Sequence, residues 1–490
     1  MICNTKILCI LILLFLSLYT IHVLARDSDN KDSDNKDSNS KNDSDSGSES
    51  GKKENDSGSD SNKDSDEHES YLISCGSQNE AEDSLGRKWV SDSKFLTSSD
   101  CSLTEELNKT DPTLPSEVPY KSVRIFNATS SYMLSVTTKT RLWIRLHFYP
   151  FDFGKVEPAK AYFSVIANEF TLLKNFSAFN TAASLTEAYI VKEFSLTPVT
   201  CGKLNITIIP STQPESSIGF LNGIEVIPMP DIFKITPLVG FHDQTIEVQN
   251  SSVQTMYRLN IGGDLIPPTE DAEGGGNRTW HEDGGYLIGA PATKFGVVGE
   301  ADSNNVTIQY QGDVSEYIAP EAVYKTARSM GPSPNVNLNT NLTWQFEVDA
   351  NFTYVVRLHF CDFELEMTNQ RVFDIFLNNH TAQQSADVIG WAGRGSSGRG
   401  TTVYKDYAIY LNDRNNGAEQ IWVALHPSDK TQPEYYDSLL NGLEVFKLND
   451  TCGNFGSEKQ VPIKRYCYSD EFLQKAKVDD ADCKPRDQDD

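Results

Sequence analysis

Three pentapeptides occur twice in this 490-residue chain, in the same order each time. Tyr120-Lys-Ser-Val-Arg124 returns as Tyr324-Lys-Thr-Ala-Arg328, Ile144-Arg-Leu-His-Phe148 as Val356-Arg-Leu-His-Phe360, and Asn222-Gly-Ile-Glu-Val226 as Asn441-Gly-Leu-Glu-Val445. A fainter pair, Arg87-Lys-Trp89 with Asp92 and Arg278-Thr-Trp280 with Asp283, opens each copy. The offsets grow from 191 through 204 and 212 to 219, so the copies differ by loop insertions. The repeated unit is therefore a whole domain of roughly 160 to 190 residues, well above the period of a solenoid repeat.

Within each copy the apolar residues alternate. Leu142, Ile144, Leu146 and Phe148 interleave with Arg141, Trp143, Arg145 and His147, and Val372, Phe373, Ile375 and Leu377 follow a similar rhythm. A period of two is the signature of a strand. The Asn-Gly pairs at 222 and 441 are tight-turn signals, and convincing amphipathic helices are scarce. The expectation is an all-β protein of two tandem antiparallel sandwiches. The boundaries implied are 71–230 for the first domain, 231–256 for a linker and first strand region, and 257–449 for the second.

The ends read differently. Residues 1–25 carry Lys6, an apolar stretch from Ile7 to Leu24 and a small residue at Ala25, which is the pattern of a cleaved secretory signal peptide. Residues 26–70 form an acidic Ser/Asp-rich segment: Asp27 to Ser70 hold 15 Asp/Glu against 6 Lys and contain no aliphatic or aromatic side chain. Such a tract cannot bury a core and is expected to be a disordered spacer. Residues 450–490 are a Cys-containing acidic tail. No later apolar run is long enough to span a membrane, and Cys75, Cys101, Cys201, Cys361, Cys452, Cys467 and Cys483 suit an oxidising compartment with a few disulfides.

Thirteen Asn-x-Ser/Thr sequons accompany the signal. Beyond Asn42 and Asn55 in the acidic tract, the glycosylation candidates are Asn108, Asn127, Asn175, Asn205, Asn250, Asn277, Asn305, Asn341, Asn351, Asn379 and Asn449. The formal charge of −26 excludes nucleic acid as a partner and favours basic peptides.

Catalytic, cofactor and metal motifs are missing. Gly393-Arg-Gly395-Ser-Ser-Gly398 matches a dinucleotide fingerprint, but a strand-like run follows where that mechanism needs a helix, so it reads as a loop. His147 and His359 occupy matching repeat positions without ligand-spaced neighbours and read as packing residues of one strand type. No enzyme, cofactor or metal site is expected. Exposed aromatic rings can stack on sugars, which makes Tyr149, Phe151 and Phe153, with Tyr435 and Tyr436, a candidate sugar platform.

Taken together, Tyr71-Leu-Ile-Ser-Cys-Gly76, Gly86-Arg-Lys-Trp89, Tyr120-Lys-Ser-Val-Arg124, the paired Arg-Leu-His-Phe segments with Phe151-Asp152-Phe153 and Asp362-Phe363, and the Asn-Gly-x-Glu-Val turns resemble the tandem malectin-like ectodomain of plant receptor-like kinases of the FERONIA and THESEUS type. The resemblance covers Tyr71 to Asn449 and implies two malectin-like jelly-roll β-sandwich domains displayed at the cell surface or wall. It implies a non-catalytic ectodomain that senses a secreted basic peptide of the rapid alkalinization factor type with a GPI-anchored co-receptor, and contacts pectin. The alternatives are a wall-polysaccharide lectin and a soluble decoy, because neither membrane helix nor kinase follows here. The sugar-binding aromatic set of animal malectin is not matched, so glucose-oligosaccharide binding is not carried over.

Overall fold

The computed structural model describes residues 70–97, 102–107, 111–152, 157–272, 276–289, 297–300, 306–393, 398–414 and 417–456. The signal peptide, nearly all of the acidic segment, the tail beyond 456, Cys101, Asn108, Asn305 and Phe153 lie outside the described residues. The described residues all fall within one compact unit.

Its backbone is an eleven-stranded sheet, among the described residues, that runs through both copies. From the first copy come Ala81–Glu82, Lys88–Ser91, Tyr71–Ser74, Gly223–Met229, Arg141–Phe148 and Ile190–Leu196; from the second come Val253–Asn260, His281–Glu282, Gly442–Leu448, Phe352–Phe360 and Val403–Leu411. The two sets join where Ile190–Leu196 pairs antiparallel with Val253–Asn260, Glu193 opposite Thr255 and Ser195 opposite Val253. The joining strand is Val253–Asn260, whose first residues fall in the 231–256 stretch read as linker and first strand region.

Each copy then closes its own sandwich over one half of this sheet. In the first, Leu142, Ile144, Leu146 and Phe148 face Leu134, Val165, Leu172 and Ile206 from the four-stranded sheet of Ser130–Ser135, Phe163–Ala167, Phe170–Phe176 and Lys203–Pro210. In the second, Tyr354, Val356, Leu358 and Phe360 meet Trp344, Phe346, Ile375 and Val423 from the five-stranded sheet that includes Leu342–Asp349, Phe373–Leu377, His380–Ala386 and Ala418–Pro427. The alternation visible in the sequence thus sorts one side chain in two into each core.

The opposite faces of these central strands are also covered. Trp143, Met229, Val253, Val355 and Phe446 pack under Ile232, Phe233 and Val248 of the segment that connects the copies. That double cover is why Arg141–Phe148 is buried at all eight positions rather than at alternate ones. Helix is confined, among the described residues, to Ala178–Leu185 and a few single turns. No described helix is long and apolar enough to cross a membrane.

After Leu448 the chain turns back onto the first copy, although the sequence marks this stretch as an acidic tail. Thr171 N donates to Gly453 O at 2.9 Å, Phe455 N donates to Thr171 O at 3.0 Å, and the Phe455 ring lies 5.4 Å from that of Phe194 inside the first core. Lys447 Nζ donates to Phe455 O and to Asp349, fixing the crossing point.

Candidate functional site

Every repeated motif contributes to one polar arrangement, built once in each copy. Tyr120 Oη lies 2.8 Å from His147 Nδ1, and His147 Nε2 lies 2.9 Å from Glu225. In the second copy Tyr324 Oη lies 3.0 Å from His359 Nδ1, and His359 Nε2 lies 3.2 Å from Glu444. Trp89 and Trp280 set their edges against these imidazoles at 5.5 and 5.4 Å. Asn222 accepts from Tyr149 N and donates to Ser122 O, and Asn441 does the same with Cys361 N and Thr326 O. The Asn-Gly pairs therefore anchor strands through a side-chain amide.

At Gly223 and Gly442 a Cβ would meet Pro119 at 2.6 Å and Val323 at 2.5 Å, so glycine is needed there for close packing. Arg124 with Asp92 and Arg328 with Asp283 close each copy with forked ion pairs. The two histidines are hydrogen-bonded core residues on the sheet face, as their matched positions suggested.

Between the copies these units fuse into a buried chain of charges. His147 meets Glu225, Glu225 meets Arg145 at 3.0 Å, and Arg145 meets Glu193 at 2.6 Å. Glu193 meets Arg258 at 2.8 Å, and Arg258 meets Glu444 at 2.7 Å and so reaches His359. Burial alone would raise these carboxyls. The arginines outweigh it and hold Glu193 and Glu225 well below the usual carboxylate range, and Glu444 down to about 2. Arg258 sits between the Trp143 and Trp280 rings at 5.9 and 5.7 Å, one from each copy. Arg357 departs from the pattern: it forks onto Asp406 and donates to Ile232 O of the connecting segment.

Sequence reasoning missed Glu193 and Arg258, since neither belongs to a repeated pentapeptide. The one available signal was the Glu of Asn-Gly-x-Glu-Val, an acidic residue inside an otherwise apolar strand.

This arrangement is closed to solvent: His147, His359, Glu193, Glu225 and Glu444 are all buried. Each carboxylate is already paired and each imidazole is hydrogen-bonded at both nitrogens. Among the described residues no group of acids, histidines and cysteines could hold a metal ion. Burial pushes the Cys75 and Cys361 thiols up, which makes both poor nucleophiles. Leu185, Glu187 and Val191 of the first copy and Leu265 of the second are exposed, and Glu187 lies close enough to act electrostatically on His281 and Tyr286 of the second.

The aromatic candidates do not form one platform. Tyr149 and Phe151 stack at 5.5 Å and 11°, but Tyr149 is buried because its hydroxyl donates to Asp111 and its backbone is held by Asn222. Phe151 alone presents its ring there, at 45% exposure, and Phe153 is outside the described residues. Tyr435 is exposed and Tyr436 half-buried in a loop of the second copy that is tied to Gln370 and Asn337. Of the sequon asparagines, Asn127, Asn175, Asn250, Asn341, Asn351 and Asn379 are exposed, whereas Asn205, Asn277 and Asn449 are half-buried. Of the loop at 393–398, residues 394–397 are outside the described residues, and the strand Val403–Leu411 follows.

Residues 73–448 match the malectin-like domain. The chain is 46% identical over 393 residues to the receptor-like protein kinase ANXUR1 of Arabidopsis thaliana, which covers 80% of this chain and 45% of that protein. It is 43% identical over 404 residues to the Arabidopsis receptor-like protein kinase FERONIA. The chain thus spans a little under half the length of these relatives. The crystal structure of the ANXUR1 extracellular domain superposes with a TM-score of 0.74 at 44% identity, covering 80% of this chain and 100% of that one. A chain of the crystal structure of the plant peptide RALF23 in complex with FER and LLG2 superposes with a TM-score of 0.69 at 41% identity, covering 80% and 99%.

Proposed function

The chain belongs to the malectin-like domain family, and on that premise we propose that it is an extracellular, non-catalytic ectodomain that senses a secreted basic peptide of the rapid alkalinization factor type together with a GPI-anchored co-receptor. The observation that carries this reading is the match to 99% of a chain in the RALF23 complex with FER and LLG2, at 41% identity. Charge supports it, because a net −26 attracts a basic peptide and speeds encounter. The geometry supports it too: the buried charges are spent on fixing two sandwiches into one body, and the loops at the rim of the seam are left to carry recognition. Secretion and N-glycosylation at the exposed sequons belong to the same reading.

The test is calorimetric titration of the secreted 26–490 product with a peptide of that type, with and without co-receptor, at two salt concentrations. Saturable binding that weakens as salt rises is expected. No peptide binding in the presence of co-receptor would overturn the reading. Binding to pectin fragments alone would replace it with a wall lectin, for which the exposed Phe151 and Tyr435 rings are the candidate contacts.

A further inference from the structure

One tryptophan of this chain stands apart from the others. Trp89, Trp143, Trp280 and Trp344 are fully buried, and Trp391 is partly covered, but Trp422 is 42% exposed on the outward face of the second copy's five-stranded sheet. It borders a groove of 360 Å³ whose lining includes the apolar Ile288 and Ala424 and the hydroxyl-bearing Thr343. Two sequon asparagines, Asn341 and Asn379, also line this groove.

The two are held differently. Asn341 Oδ1 is 2.9 Å from His426 Nδ1, which ties its amide down. Asn379 is the second residue of the two-residue loop between Phe373–Leu377 and His380–Ala386, where Leu377 faces His380 and Asn378 and Asn379 have φ of 47° and 65°. A loop of that length with two positive φ values is a tight mirror-image turn that asparagine tolerates. Asn378 clasps the turn onto the tryptophan strand, accepting from Trp422 N at 2.6 Å and donating to Gln420 O at 2.9 Å. Asn379 is left exposed at the tip, with its sequon threonine, Thr381, directly opposite Phe376. Phe376 in turn faces Ala424, so that Phe376, Ala424 and Trp422 share the outward face of the sheet.

We propose that the N-glycan carried by Asn379 lies back over this face, with its first N-acetylglucosamine units against Phe376 and the indole of Trp422, and is the native cover of the groove. The chemistry matches: a pyranose has a flat C–H face and an acetamido methyl that suit the electron-rich face of an aromatic ring, and its hydroxyls stay in water. The cover also explains how an exposed tryptophan beside an apolar groove is kept from associating with other chains. It places this sheet face outside the peptide-sensing surface. The inference rests on the extracellular part of the proposed function and not on the peptide.

The experiment uses the 26–490 chain secreted from plant or insect cells, with glycopeptide mass spectrometry and acrylamide quenching of tryptophan fluorescence. Asn379 is expected to be occupied. Thr381→Ala, which removes the sequon and keeps Asn379 in its turn, is expected to increase quenching and shift emission to longer wavelength. Thr381→Ser is expected to restore both, Asn341→Gln to leave both unchanged, and Trp422→Ala to abolish the effect of Thr381→Ala. Occupied sequons elsewhere with Asn379 bare overturn the proposal alone, as does an occupied Asn379 whose loss leaves the emission unchanged. Bare sequons throughout overturn it together with the extracellular reading.

Discussion

Replacing Arg258 with methionine tests whether the buried charges join the two copies or merely fill the space between them. The guanidinium bonds Glu193 at 2.8 Å and Glu444 at 2.7 Å, and its side chain is 6% exposed. Methionine keeps the volume between Trp143 and Trp280 and removes the charge. Breaking a buried pair costs about 3 to 5 kcal/mol because the remaining partner is left uncompensated. Here Glu193 keeps Arg145 and Glu444 keeps His359, so the loss belongs near the lower end, about 3 kcal/mol.

At about 2.1 cal/mol/K per residue, a single cooperative body of about 380 residues has an unfolding entropy of about 0.8 kcal/mol/K, which converts this loss into a fall of about 4 °C in Tm. If the copies melted independently, one transition would fall by about 8 °C and the other would stay in place. Differential scanning calorimetry distinguishes the cases, and urea titration followed by tryptophan emission gives the free energy directly. A loss under about 1 kcal/mol would refute the reasoning, since it would mean that the carboxylates rehydrate at little cost.

Acid should destabilise the fold through Glu444. Its carboxyl is held near 2 in the folded state against an ordinary 4.5, so its contribution is full above about pH 5 and is lost as pH falls toward 2, about 3 kcal/mol in all. Glu444→Gln should flatten that slope in urea titrations between pH 5 and 3 while lowering stability at neutral pH. Asn441→Ala strands the Cys361 amide and the Thr326 carbonyl and should cost about 2 to 3 kcal/mol by denaturant titration, with Asn222→Ala behaving alike in the first copy. Phe455→Ala empties a site in the first core. It should cost about 3 kcal/mol and make the chain after Leu448 sensitive to limited proteolysis, whereas an unchanged digestion rate would show that the crossing segment is held without its ring.

Much of this fold was legible because the repeat and the period-two alternation are local signals. Leu142 to Phe148 show their inward face from spacing alone, and the twin Asn-Gly-x-Glu-Val segments mark equivalent strands. The joint between the copies was not legible, for it depends on which edge of one sandwich meets which edge of the other. Nothing near Glu193 or Arg258 in the chain announces that they meet across the seam. Phe455 was hidden for a related reason: a lone aromatic in a polar tail has no periodicity to read. The candidate site fared unevenly. Spacing alone did not separate the exposed Phe151 and Tyr435 from the buried Tyr149, whose burial depends on Asp111, some forty residues earlier and on another loop.

The crossing of residues 450–456 onto the first copy decides how a tug on the chain is felt. Tension applied beyond Gly456 does not peel the second sandwich open from its last strand. It meets the backbone bonds at Thr171, the Phe455 ring and the Lys447 clasp together, so the load enters the first copy and is returned to the second through the shared sheet. A cable anchored past the far post loads both posts, and the same crossing ties the end of the second copy to the first.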